Sequence, residues 1–546
     1  MTTVSAADRA PMEILLRIFS CLVPSPQYCW EQMARTYQDQ VNVPMIIETM
    51  RNVRAVCSTW RNLVYFQRSM AVPLVIDLDD KGQPKQPLRP ILQLVQMQET
   101  LPLVAAVLAS PHSSTPMTTL AIAHALRLAN DFSHRLTHLI IRLDGLHQSP
   151  FPAIYAPQLT HLLIRRDSCP TSYNYRCAGA DRQHALDFIR AIDAPHLQVL
   201  DAAVASIGPS ISFDPFFVPP FGGLTVLNIT TETLTQLAAV LKALPTLECV
   251  ATSIYVPHGQ VDLDDPTIYI MPVVHLPRLT TWKYRGMPAY LWPMVGALRS
   301  CSQLRELYAS LHDEPTSLPQ YWHEIPQIWP DLTLLALSQF VLDEEELLAL
   351  VRALPLLTSL ALEAGRTWHP ESHGAPAPVG SAFLRALVAE PPLLPNLSRF
   401  AIYHSTCCAP PPHLSDVVAA RMRGVHPLST PLQEFTLAPA CCRKHIDHPQ
   451  YADERALRQL RRHGYRVRLC WNHRTNFMRP VCAGCAAAAR PRTPPVQTGA
   501  WGEGWGDWEP AGGGVWGSGG WGDWESAGWD DWESGGWGGW ELSTTV

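Results

Sequence analysis

One apolar phrase, Leu-x-x-Leu-x-Leu with apolar substitutes, recurs along this chain. Leu136, Leu139 and Ile141 form the first copy, and Leu159, Leu162 and Ile164 the second. Leu197 with Leu200, Leu224 with Leu227 and Ile229, Leu247 with Val250, and Leu279 with Trp282 and Tyr284 follow. Then come Leu304 with Leu307, Leu332 with Leu335 and Leu337, and Leu357 with Leu360 and Leu362. Leu397, Phe400, Ile402 and then Leu432, Phe435, Leu437 close the series. The alternation inside each copy is the two-residue period of a strand with one buried face. Between copies stand phrases of helical period: Leu234 to Leu244, Met294 to Leu298, Glu344 to Leu354 and Phe383 to Val388. Ala243-Leu-Pro-Thr-Leu247 and Ala353-Leu-Pro-Leu-Leu357 are nearly the same sentence. Helix, proline turn and strand in repetition predict a solenoid, because one such unit cannot close a core alone.

Successive first leucines lie 23 to 40 residues apart, and several intervals fall within the ~20–29 residues of a leucine-rich repeat. The series resembles that family in degenerate form, since the asparagine usual after the third apolar residue is mostly missing. The resemblance implies an α/β fold over 73–470 with a curved parallel sheet, and loop insertions where the interval is long. Ahead of the series, Val72 to Leu78 reads as a short strand. Leu88 to Leu108 has helical spacing with a break at Pro102, and Met117 to Leu128 reads as a helix. A basic helical phrase, Glu454 to His463, and a strand-like Tyr465 to Cys470 end the regular part.

Residues 1–72 carry a different pattern. Pro11 suits the first turn of a helix and Glu13 its positive end. Ile14, Ile18 and Leu22 make one apolar row at four-residue spacing, with Leu15 and Phe19 a second row beside it. Two rows suggest one face packed inside and another meeting a partner. With Val56, Cys57, Trp60 and Arg61 further on, these residues resemble the F-box, the adaptor-binding motif of SCF-type ubiquitin ligases. Ala10 stands where that motif usually has leucine, and the spacer Val23 to Val53 is longer than usual. The resemblance implies a small helical domain. Pro11, Glu13, Ile14, Leu15, Ile18, Phe19, Leu22, Val56, Cys57 and Trp60 would dock a Skp-family adaptor within a cullin–RING ligase.

Composition narrows the setting. The 50 prolines agree with many short elements joined by punctuated turns. A net charge of −6 lacks the basic balance of a nucleic-acid binder. No apolar run approaches the ~20 residues of a membrane span, and no secretory signal precedes the pattern. Fourteen cysteines scattered through apolar phrases therefore suggest reduced thiols in cytoplasm or nucleus.

Residues 471–546 form a linker and then a tail. Beyond Arg492 the chain holds nine acidic residues, no Lys or Arg, and Trp501, Trp505, Trp508, Trp516, Trp521, Trp524, Trp529, Trp532, Trp537 and Trp540. Glycine and like charge predict a disordered tail without a core of its own. The segment resembles the Gly-Trp repeats gripped by Argonaute-type proteins. Repeat expansion gives the same composition, and the reading adopted is a solubilising or adhesive tail. Cys470-x-x-His473 and Cys482-x-x-Cys485 have zinc-ligand spacing. The loop between them offers little core, and Arg474 and Arg479 add positive charge, so free thiols without metal are the reading.

No phosphate-binding Gly-rich loop, His-Glu-x-x-His or Gly-x-Ser-x-Gly occurs, and no cofactor is expected. Residues between the buried leucines should face the concave side of the sheet. These are His138, Arg142, His161, Arg165, Asn228, Lys283, Arg285, Glu306, Tyr308, Arg399 and Tyr403. Arg and Tyr are enriched at binding hot spots, so this face is the candidate target site. The expectation is a target-recruiting ligase subunit. Its rivals are a leucine-rich-repeat scaffold without ligase connection and an enzyme with an unrecognised site in a repeat cleft.

Overall fold

The computed structural model describes residues 72–79, 81–97, 101–109, 116–142, 153–165, 192–207, 222–231, 233–254, 270–311, 322–340, 343–364, 379–404, 413–424, 429–439 and 452–469. The F-box-like residues Pro11 to Arg61, the Cys470/His473/Cys482/Cys485 set and the tryptophan-rich tail lie outside them.

The chain enters at β1 (Val72–Leu78), α1 (Leu88–Met97), β2 (Leu103–Ala109), α2 (Pro116–Asn130) and β3 (Leu136–Arg142). It continues through β4 (Ile154–Tyr155), β5 (His161–Arg165), β6 (Ile192–Asp193), β7 (Val199–Ile207) and β8 (Val226–Thr231). Helix α3 (Leu234–Ala243), β9 (Cys249–Ile254), β10 (Thr281–Gly286), α4 (Pro288–Ala297) and β11 (Glu306–Leu311) follow. Next are α5 (Glu324–Ile328), β12 (Leu334–Phe340), α6 (Glu344–Arg352), β13 (Ser359–Ala364) and α7 (Ser381–Leu387). Last are β14 (Arg399–His404), α8 (Leu414–Met422), β15 (Glu434–Pro439), α9 (Ala452–Arg462) and β16 (Arg466–Leu469). Fourteen strands form one open sheet in chain order, β4 and β6 pairing apart from it, and every strand pair in it is parallel. The fourth and sixth positions of the repeated phrase fall in two register rows. One runs Leu139, Leu162, Leu200, Leu227, Val250, Trp282, Leu307, Leu335, Leu360, Phe400, Phe435, Val467, and all are buried in a single core with the helices.

A proline turn delivers seven of the fourteen strands. Ala156, Ala194, Leu244, Leu276, Trp329, Leu354 and Leu394 each precede a proline, and each accepts at its carbonyl the N–H of the leucine three residues on. Proline at the second turn position supplies the required φ without loss of a needed donor. The residue after that leucine makes a second ladder. The hydroxyls of Thr160, Thr225, Thr280, Thr333, Thr358 and Ser398 each donate to the carbonyl at the matching position of the preceding unit, at 3.0 to 3.3 Å. These hydroxyls stitch one unit to the next. Each carbonyl also accepts backbone N–H groups, as Arg305 does from Thr333 and Leu334. Thr333→Val should therefore cost no more than about 1 kcal/mol, whereas Leu335→Ala, from the closed core, should cost about 2–5 kcal/mol. Urea midpoints of the two variants check the difference.

Two sequence expectations change. Leu103 to Leu108 is not the continuation of a helix but strand β2, paired along its length with β1. Its apolar residues face both ways: Val104 and Ala106 are as closed to solvent as Leu103, Ala105 and Val107. A strand buried on both faces has no alternation to read. The helical phrases at 324–328 and 414–422 were also not anticipated.

Candidate recognition face

The face of the sheet turned from the helices carries three register rows from β7 onward. The middle row is Asp201, Asn228, Ala251, Lys283, Tyr308, Ala336, Ala361, Ala401, Thr436 and Arg468. Above it run Cys249, Thr281, Glu306, Leu334, Ser359, Arg399, Glu434 and Arg466. Below it run Ser253, Arg285, Ser310, Ser338, Glu363 and Tyr403. Strands about 4.8 Å apart bring every residue of a row against the next.

At β7–β11 this produces a polar network. Asn228 Nδ2 donates to Asp201 Oδ1 at 3.0 Å. The Lys283 ammonium lies 5.3 Å from the centroid of the Tyr308 ring, and Tyr308 donates to Glu306 Oε2 at 3.4 Å. Thr281 Oγ1 donates to the same carboxylate at 3.2 Å. Burial pulls the Lys283 pKa down, while Cys249, Glu306 and Asp201 oppose that shift. Burial pushes the Cys249 thiol up, with Lys283 opposing. Burial and then the Glu306 charge raise the Tyr308 phenol. Thiol and phenol are thus held protonated, the state in which each can donate a hydrogen bond.

On β12–β14 the middle row shrinks to Ala336, Ala361 and Ala401, leaving a shallow trough. Leu334, Ser359 and Arg399 form one wall; Ser338, Glu363 and Tyr403 form the other, where Ser338 Oγ donates to Glu363 Oε2. Ala251, Tyr308 and Ala336 form a small buried apolar cluster, with Leu334, Ala361 and Tyr403 packed against it. The floor is apolar and the rim, Leu334 apart, polar, an arrangement suited to a protein surface or peptide.

His138 and His161 occupy matched positions on β3 and β5. Their rings stack at 4.2 Å with planes 14° apart. Thr137 Oγ1 donates to the Leu103 carbonyl and Thr160 Oγ1 to the Thr137 carbonyl. Each hydroxyl also lies 2.9 Å from Nδ1 of the histidine that follows it. Burial, then the charge on His161, lowers the His138 pKa to about 3, and burial lowers His161 to about 4. In the unfolded chain both would titrate near 6.5. The neutral pair thus contributes stability in full above about pH 6.5, lost as pH falls toward 4, by up to about 1.4 kcal/mol per pH unit for each suppressed proton. Between pH 7.5 and 5.0, His138→Phe combined with His161→Phe should flatten the fall in urea midpoint seen for the native chain. An equal fall in both proteins would contradict this assignment.

Asn228, Lys283, Arg285, Glu306, Tyr308, Arg399 and Tyr403 fall in these three rows, and several of the anticipated face residues are covered. His138, Asn228, Lys283 and Tyr308 are buried, not displayed, because large neighbours on adjacent strands cover one another. Arg399 is exposed and Arg285 and Tyr403 are half-buried. Arg142 and Arg165 are register partners at the ends of β3 and β5. The alanine row was not anticipated; its signal was the small residue between the apolar positions of three consecutive copies. Among the described residues no group of three or more His, Cys, Asp and Glu side chains could hold a metal ion, and no helix is long and apolar enough to cross a membrane. Fold and face together define an α/β protein built on one long open parallel sheet. No family model and no curated protein matches the chain.

Proposed function

We propose that this chain is a substrate-recruiting subunit of an SCF-type cullin–RING ubiquitin ligase, in cytoplasm or nucleus, and that its sheet is an irregular leucine-rich-repeat solenoid. The F-box-like residues Pro11 to Trp60 dock a Skp-family adaptor. The trough on β12–β14, with Arg399, Tyr403 and Tyr308, receives the target protein. Ubiquitin transfer belongs to other subunits, so the chain is not itself an enzyme. Its contribution is effective concentration, holding a target lysine near the charged conjugating enzyme. Neither nucleic acid nor membrane is a partner on this reading. The observation that supports it best is a single sheet face, in register over many parallel strands, in a chain that also carries an adaptor-type motif.

Affinity purification of Arg399→Glu combined with Tyr403→Ala tests the target half. Hot-spot truncations cost about 2 kcal/mol or more, so co-purifying targets should fall at least about tenfold while the adaptor is retained. Unchanged targets would place recognition elsewhere. Targets retained by the native chain without any adaptor would favour the scaffold reading.

A further inference from the structure

The last described unit of the sheet differs in charge from all the others. Arg455, Arg458, Arg461, Arg462, Arg466 and Arg468 stand within fourteen residues that contain no Asp or Glu. On α9, Leu457 and Leu460 are buried, while Arg455, Arg458, Arg461 and Arg462 are exposed on the face turned from the core. Arg466 is exposed on β16, and Arg468 pairs with Glu434 at 3.1 Å. Among the described strands β16 has β15 as its one neighbour, so α9 and β16 close that end of the sheet with an arginine surface.

We infer that this arginine surface is the docking site of the chain's own acidic tryptophan tail, residues 493–546. Three observations converge. The first is charge: the tail carries nine carboxylates and no Lys or Arg, while α9 and β16 carry five arginines besides the Arg468 paired with Glu434, against two acids, Asp453 and Glu454, at the start of α9. The second is pairing of chemistries. Gly504-Trp-Gly-Asp-Trp-Glu509, Gly520-Trp-Gly-Asp-Trp-Glu525 and Trp529-Asp-Asp-Trp-Glu533 set carboxylates directly beside indoles. Arginine is the side chain that accepts both, stacking its plane on an indole and forking its N–H groups to a carboxylate. On α9, Arg455, Arg458 and Arg462 follow at three- and four-residue spacing, the spacing of neighbours on one helix face. The third is the tether. The tail is joined to Leu469, the end of β16, through 470–492, and a flexible chain of that length reaches about 25 Å. Its local concentration at the arginine surface is then of millimolar order, so contacts too weak to hold a separate peptide hold a tethered one. Docking of this kind needs no core within the tail, in keeping with its glycine content.

Ten of the chain's eighteen tryptophans lie in the tail, so acrylamide quenching of indole emission in the intact protein reads its state. Raising NaCl from about 50 to about 500 mM shortens the screening length to about 4 Å and should raise the quenching constant by about 1.5-fold or more. At low salt, Arg455→Glu combined with Arg458→Glu and Arg462→Glu should already show the high-salt value. So should the intact chain bearing Asp507→Asn, Glu509→Gln, Asp523→Asn and Glu525→Gln, which leaves the described fold untouched and decides the matter if the arginine variant does not fold. Quenching that is the same at both salts and in both variants would overturn the proposal, whether the tail is free or held elsewhere. A fluorescein-labelled single-stranded RNA that bound the intact chain at low salt without altering tail quenching would overturn it too, assigning the surface to an external polyanion.

Discussion

Ile18→Asp combined with Phe19→Asp is expected to abolish co-purification of a Skp-family adaptor while leaving the urea midpoint of the sheet unchanged. Ile14, Ile18 and Leu22 form one row at helical spacing, and Leu15 and Phe19 the adjacent row. The two substitutions place a carboxylate in each. An unpaired carboxylate buried in an apolar interface costs several kcal/mol, and about 2.7 kcal/mol is already a hundredfold in affinity. The rows precede Val72, the first residue of β1, and neither belongs to the described core. Gel filtration with purified adaptor, beside urea unfolding, reads both halves of the expectation. Adaptor retained at native affinity would sink the F-box reading.

Trp282→Ala is expected to cost about 3–5 kcal/mol of folding stability. Trp282 is fully buried in the leucine row of β10, between Val250 and Leu307. Its ring meets Trp329 edge-on at 5.9 Å and lies 6.1 Å from Tyr284, and its Nε1–H donates to Thr252 Oγ1 at 3.4 Å. Removing the indole leaves a cavity between consecutive units and takes one of two partners from the Thr252 hydroxyl, which still donates to the Lys283 carbonyl at 3.4 Å. In a stack whose units touch only their neighbours, such a cavity weakens both interfaces of one unit. Trp282→Phe keeps most of the volume and should cost less than half as much. Equilibrium urea unfolding followed by far-UV circular dichroism measures both, and a loss under about 1 kcal/mol for the alanine variant would show that β10 does not pack as described.

The sheet from β3 to β15 could be read from the chain because its apolar positions alternate on one face. The leucine phrases from Leu136 to Leu437 locate its strands, and the proline before most of them marks the turn. Strand β1 was legible as Val72 to Leu78, but β2 was not. In β2 every position is small or apolar, so periodicity could not separate strand from helix. The hydroxyl ladder was present as the Thr or Ser after seven of the eleven leading leucines, but its meaning needs the neighbouring carbonyl, which only folding brings near. Burial on the recognition face was illegible for a similar reason. Lys283 is closed off by Tyr308 on the next strand, and His138 by His161, both distant in the chain. That Arg399 and Tyr403 share one face followed from strand period alone, whereas the alanine floor became a trough only when three strands stood side by side. The adaptor-type residues are legible as a motif, and their test is biochemical.

The most direct test of the bridging role is reconstitution of the intact chain with a purified Skp-family adaptor and the N-terminal half of a cullin, followed by light scattering across a gel-filtration peak. The account predicts a single complex holding one copy of each, lost on Ile18→Asp with Phe19→Asp and kept on Arg399→Glu with Tyr403→Ala. Elution of the intact chain apart from the adaptor at micromolar concentration would contradict it.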